Sequence, residues 1–327
     1  MHKLKYLVSL YLFSMLLPFI ASSEGDRSPF YQNCVKSCSK ANCTLDGSFQ
    51  PQSAELQDIW CRWLKWDCKD DCRYHCMWRT VQGFQERGYK MPKFHGKWPF
   101  KRILGVQEPA SAFASLLNLM SHIHMYSDIR KEFPIRDTPL VLFWHVFALV
   151  CMNAWTWSII FHTRDSPFTE FMDYACALSM VMSLFVAAII RILHRRRKLT
   201  AVILLITLLY YVEHVRYLYS GRIDYDYNML INILFGVAGS LLWMVWACVQ
   251  YLAGRHYVWR LVAFTVFSGA ALTLELFDFP PRNGWDAHAL WHLSTSSLPV
   301  LFYKFVIHDI KFLKTTFNIE KSAYKIT

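Results

Sequence analysis

Glycine and proline are scarce in this chain, twelve of each in 327 residues, and charged side chains make up only 18% of it. So few turn-formers leave little room for a loop-rich or strand-and-turn architecture and suit a chain that is mostly helical. No internal repeat and no low-complexity linker interrupts it, which excludes a solenoid. Cysteine all but disappears after Cys76, with only Cys151, Cys176 and Cys248 beyond it. Lysine and arginine are thin in three connections, His162 to Glu170, Gly221 to Asn228 and Asp278 to Asp286, which carry one arginine each: Arg164, Arg222 and Arg282. The net charge of +11 would suit nucleic acid or an acidic partner if it were spread over a soluble chain. Instead it gathers in His194-Arg-Arg-Arg-Lys198, Arg255 and Arg260, Arg130, Lys131 and Arg136, and Lys311 and Lys314. Basic connections that alternate with poor ones follow the positive-inside rule, so nucleic acid is excluded as a partner.

What is abundant is apolar: 54% hydrophobic and 17% aromatic residues, with a positive mean hydropathy. Spanning segments are expected at about 139–161, 171–193, 199–218, 228–252, 260–277 and 287–308, each near the ~20 residues a crossing needs. A seventh, about 108–126, carries Asn118, His122 and His124 and would fail on hydropathy alone. Parity requires it: with the cysteine-rich region lumenal and His194-Arg-Arg-Arg-Lys198 cytosolic, an odd number of crossings must separate them. The expected fold is an all-α membrane protein, a seven-transmembrane helix bundle with a small disulfide-rich lumenal N-terminal domain. Its bounds are a signal peptide over 1–23, the cysteine-rich domain over 24–107, the bundle over 108–310 and a cytosolic tail over 311–327.

The signal peptide rests on a basic start, an apolar run and the small-residue end Ala21-Ser22-Ser23; a retained signal anchor is the alternative. Seven of the ten cysteines lie between Cys34 and Cys76. In an oxidising compartment they read as a disulfide framework rather than a zinc site, with one thiol left over and the connectivity open. The sequon Asn42-Cys-Thr44 agrees with that compartment. The carboxy-terminal sequence Ala323-Tyr-Lys-Ile-Thr327 has no KDEL-type signal.

Ionisable residues inside apolar helices are expensive and mark function by default. In Trp285-Asp-Ala-His-Ala-Leu-Trp-His292, His288 and His292 are one turn apart and share a helix face. Ser158 and His162 repeat that spacing at the end of an earlier segment, and Asp173 opens the next. The expected topology puts all five at one depth on the lumenal side. Three neutral imidazoles would hold zinc with the fourth tetrahedral position open to water, which marks a catalytic site. Zinc lowers the pKa of such a water from ~15.7 toward ~7. Asp173 could carry the water proton or fix an imidazole tautomer, and Ser158 could donate to an oxyanion. Glu275 and Asp278, at the end of the sixth span, could support an imidazole or simply be solvated at a helix end. His122, His124, His145 and His214 also lie in or near apolar segments and read as packing or anchoring residues.

The set Ser158-x-x-x-His162, Asp173 and His288-x-x-x-His292 on seven helices resembles the CREST superfamily of membrane hydrolases, which includes alkaline ceramidases and the adiponectin and progestin receptors. Asp71-Cys-Arg-Tyr-His-Cys-Met-Trp78, Lys93-Phe-His-Gly-Lys-Trp-Pro-Phe100 and Gln107-Glu-Pro-Ala-Ser111 resemble its branch that acts on GPI anchors, over essentially the whole mature chain. The resemblance implies a GPI-specific phospholipase A2 that removes the sn-2 acyl chain from the phosphatidylinositol of GPI-anchored proteins, in the Golgi or endoplasmic reticulum membrane. It implies zinc on His162, His288 and His292, assisted by Asp173 and Ser158. The competing expectations are a ceramidase-like amidase and a non-enzymatic seven-helix receptor. The short cytosolic connections weigh against the receptor. A transporter would place polar residues through the midplane rather than at one end, a pattern absent from the clear spans.

Overall fold

A computed structural model of the protein describes residues 23–221 and 223–326. The expected signal peptide therefore lies, but for Ser23, outside the described residues. Two compact units divide at Gly105 and Val106. Among the described residues there is no strand, only three isolated bridges.

The N-terminal unit contains α1 (Glu24–Arg27), α2 (Pro29–Asn42), α3 (Pro51–Glu55), α4 (Ile59–Trp63) and α5 (Cys68–Glu86). Cysteines spaced four or five apart form a ladder between α2 and α5: Cys34 to Cys76, Cys38 to Cys72 and Cys43 to Cys68. Rising numbers on one side meet falling numbers on the other, so the two helices are antiparallel. The apolar core is small, Tyr31, Cys76, Val81 and Phe94, and the three cross-links supply what it lacks, at about 2–4 kcal/mol each. Gly25 is required where it stands, because a Cβ there would lie 2.6 Å from the Lys93 carbonyl oxygen. The left-over cysteine is Cys61, a buried free thiol. The Arg102 guanidinium lies 4.0 Å from its sulfur, stacks on Trp66 at 3.7 Å and pairs with Asp71 at 2.7 Å. Burial pushes the Cys61 thiol pKa up.

The second unit holds α6 (Pro109–Glu132), α7 (Val141–Thr163), α8 (Pro167–Ile192), α9 (Arg197–Tyr219), α10 (Tyr225–Leu252), α11 (Trp259–Phe277), α12 (Ala287–Thr295) and α13 (Leu298–Ile326). Several starts are written locally. Ser166 and Thr169 form a capping box around Pro167, and the Asp224 and Asp286 side chains accept from the third residue of α10 and α12. Trp144, Phe147, Trp243, Phe302 and Phe305 form the centre of the core, joining α7, α10 and α13. Gly239 lets α10 approach α8, since a Cβ would lie 3.2 Å from the Phe185 Cα. α9 instead exposes Val202, Leu205, Ile206, Leu209 and Val212, an outward apolar surface suited to lipid.

Among the described residues five helices are long and apolar enough to cross a membrane: α7, α8, α9, α10 and the stretch His256–Phe277. The other two expected crossings correspond to α6, 24 residues long but polar on one face, and to α12 with α13. That last segment differs from the single helix expected over 287–308. It breaks between Thr295 and Leu298, because Pro299 in the first turn of α13 has no N–H to continue α12. α13 then runs through Lys311 without interruption, so the expected tail begins inside a helix.

Candidate metal centre

A helix leaves its last four carbonyls without partners, and the end of α7 uses the segment before α6 to satisfy two of them. Gln107 N donates to the Thr163 carbonyl at 3.0 Å and Glu108 N to the His162 carbonyl at 2.9 Å. This backbone clasp brings the Glu108 side chain to the His162 ring, whose Nδ1 donates to Glu108 Oε2 at 2.8 Å. Both groups are buried. A carboxylate accepts and an imidazole nitrogen must donate, so the proton sits on Nδ1 and the Nε2 lone pair of His162 is exposed to the interior. That Nε2 is buried without a hydrogen-bond partner.

The same arrangement recurs at His288. Its Nδ1 donates to Glu275 Oε2 at 2.7 Å, while Tyr225 donates to Glu275 Oε1 at 3.1 Å. His288 Nε2 lies 2.9 Å from His292 Nε2. The ring centroids of His162 are 5.2 Å from those of His288 and 5.1 Å from those of His292, and one ligand nitrogen from each of the three lies within 4.8 Å of the others. Three imidazole nitrogens converging on one point, two of them fixed in the tautomer that a cation needs, fit a metal ion of the zinc type. Among the described residues the second group of metal-ligand spacing, Cys43, Cys68 and Cys72, is committed to disulfides.

Of the remaining expected residues, Ser158 is buried one turn before His162, its hydroxyl 3.1 Å from that of Ser115 on α6. Asp173 lies in the second turn of α8, half-buried. The Nδ1 positions of His162 and His288 belong to Glu108 and Glu275, so the tautomer-fixing role considered for Asp173 falls to those two. Glu275 is thus a half-buried partner of His288 and not a solvated helix end. Glu108 lies outside the set expected from sequence; its one local sign is its place before Pro109, at the start of a helix with a polar face.

That polarity has a structural cause. Ser111, Ser115, Asn118 and His122 occupy one face of α6 and are all buried. Ser115 meets Ser158 on α7, Asn118 Nδ2 donates to the His292 carbonyl on α12 at 2.7 Å, and His122 Nδ1 lies 3.2 Å from the Tyr303 hydroxyl on α13. His122 is therefore a packing histidine, as expected, and α6 is the helix that holds the centre together.

An all-helical membrane protein with a disulfide-braced N-terminal unit and a largely buried three-histidine centre is the class these features define. The chain belongs to the Per1-like family, which matches residues 58–310. It is 43% identical over 302 residues to post-GPI attachment to proteins factor 3 of Drosophila melanogaster, covering 90% of this chain and 91% of that one. It is 40% identical to the GPI-specific phospholipase A2-like PGAP3 of Danio rerio, over 94% and 95% of the two chains. Against the Homo sapiens protein of the same name the identity is 38%, over 90% and 91%. No solved structure matches.

Proposed function

We propose that this protein is a zinc-dependent phospholipase A2-type hydrolase that removes the sn-2 acyl chain from the phosphatidylinositol of GPI-anchored proteins. The observation that carries this reading is the convergence of His162, His288 and His292, with Glu108 and Glu275 on two of their Nδ1 atoms. The printed names of the relatives support the lipid substrate. In this reading the bundle crosses the membrane seven times, with the N-terminal unit in the lumen of the Golgi or endoplasmic reticulum and the tail in the cytosol. The GPI lipid then presents its ester to the lumenal end of the bundle.

His162, His288 and His292 would hold the zinc ion, which when bound supplies Lewis acidity and activates water at neutral pH. Glu108 and Glu275 keep two of the imidazoles in the ligating tautomer and raise their basicity. Water oxygen adds to the ester carbonyl carbon, and the bond from that carbon to the glycerol oxygen breaks. Asp173 takes the water proton and returns it to the departing alkoxide, so the products are a fatty acid and a lyso-GPI. Ser158 donates to the carbonyl oxygen as charge builds on it. Trp155 and Trp291 flank His292 and exclude bulk water from its ring.

Zinc content tests the donor set directly. Purified wild-type protein should carry about one zinc per chain, while Glu108→Gln and Glu275→Gln each weaken retention against a chelator about 10–100-fold. Unchanged retention in both variants contradicts the assignment.

A further inference from the structure

At the end of the bundle opposite the histidines, a groove of about 340 Å³ opens between α6 and α7, lined by Ile123, Tyr126, Ser127, Arg130, Lys131 and Met152. Three observations fix its level. Ser115 of α6 is beside Ser158, and Arg130 is about 22 Å further along the helix at 1.5 Å per residue. Glu132 pairs with Lys311 at 2.5 Å. The neighbouring Asp309 accepts from Arg191 and from Tyr257, so this is where α8 ends and α11 is about to begin.

The groove is amphipathic along its length. Ile123 and Met152 make an apolar wall facing outward, where the rest of the bundle presents aliphatic side chains to lipid. Arg130 and Lys131 stand at the other end, exposed. The adjacent Glu132 is taken by Lys311, and among the described residues neither Arg130 nor Lys131 enters an ion pair. The Ser127 hydroxyl is turned to the His124 carbonyl at 2.8 Å. Cations near a helix C-terminus favour the helix dipole, which accounts for their presence but not for an apolar channel leading to them.

We infer that this groove is a binding site for an anionic phospholipid, with an acyl chain along Ile123 and Met152 and the phosphate-bearing headgroup against Arg130 and Lys131. Basic residues at the mouth of an inter-helix groove recognise lipid headgroups by charge, and the apolar wall selects a lipid over the soluble headgroup. The site is separate from the histidine centre and does not depend on the proposed chemistry.

Native mass spectrometry of the full chain in detergent, titrated with phosphatidylinositol and with phosphatidylcholine of matched chains, tests it. Each cation is worth about fivefold in affinity, from ~1 kcal/mol per basic residue. Wild type should prefer phosphatidylinositol, and Arg130→Gln with Lys131→Gln should reduce its binding about 25-fold while leaving phosphatidylcholine binding nearly unchanged. Met152→Trp should fill the groove and weaken both lipids, which keeps the test open should the charge variant fold poorly. Arg196→Gln with Lys198→Gln, at the start of α9, should change neither. The proposal is overturned if the Arg130/Lys131 variant keeps the wild-type preference, if the Arg196/Lys198 variant loses it equally, or if free inositol phosphate binds as well as the lipid.

Discussion

The Asn118 side-chain amide donates to the main-chain carbonyl of His292 at 2.7 Å, across the gap between α6 and α12. Because α12 ends at Thr295, the Ser296 N–H that would continue the helix to this carbonyl goes to the Leu293 carbonyl instead; the His292 carbonyl also accepts from the Thr295 hydroxyl at 2.9 Å. Asn118 therefore holds in place the nine-residue helix that carries two of the three histidines.

Replacing Asn118 with Leu, which keeps the volume and removes the donor, should loosen α12 and weaken zinc retention about tenfold, within the range for groups that orient metal ligands. Asn118→Asp, which accepts but does not donate, should do the same. Competition with a chelator measures both. Wild-type retention in the two variants would mean that packing alone positions α12.

Ser115 and Ser158 share one hydrogen bond at 3.1 Å. If Ser115 donates, the Ser158 proton is left for the substrate. Ser158→Ala should then lower kcat about 10²–10³-fold with little change in KM, as for loss of an oxyanion donor. Ser115→Ala should cost less, and the double variant should be no worse than Ser158→Ala. Additive losses in GPI deacylation would show that the two hydroxyls act independently.

Much of this arrangement is legible in sequence because it obeys helical spacing. His288 with His292, and Ser158 with His162, declare a shared face at four residues apart, and the cysteine cluster declares cross-links. Partners far apart in the chain are not declared. Glu108 reaches His162 across 54 positions, through a backbone clasp that no periodicity encodes. The pairing of seven cysteines, and the choice of Cys61 as the free one, depend on two helices running antiparallel. The break in the last segment had one local sign, Pro299, whose weight depends on which residue starts the turn. The polar face of α6 was visible as a defect in hydropathy, and its reason lies in the three helices it touches.

Cys61 should resist alkylation in the native protein at pH 8. Its pKa is raised, so the reactive thiolate is scarcer than in a free cysteine, and the side chain is buried. Denaturant without reductant should expose it as the one labelled cysteine among those from Cys34 to Cys76, by peptide mass analysis. Labelling of any other cysteine in that stretch would contradict the pairing.

Arg191 and Asp309 form a buried pair at 2.5 and 2.9 Å that ties α8 to α13, and Tyr257 donates to the same carboxylate at 2.7 Å. Removing one partner strands a charge, so Asp309→Leu or Arg191→Leu should each cost about 3–5 kcal/mol. The double Leu variant should recover much of it. Thermal unfolding in one detergent compares all four proteins, and a double variant less stable than either single one would oppose this reading.

A three-histidine hydrolase acting on GPI lipid changes the acyl composition of GPI anchors, which lipid analysis of cells reads out. Cells that lack the protein would be supplied with wild type, His292→Ala or Asp173→Ala, with equal delivery of each confirmed. Wild type alone should remove the unsaturated sn-2 chain. Full restoration by both variants would contradict it and leave the bundle a binding or structural role.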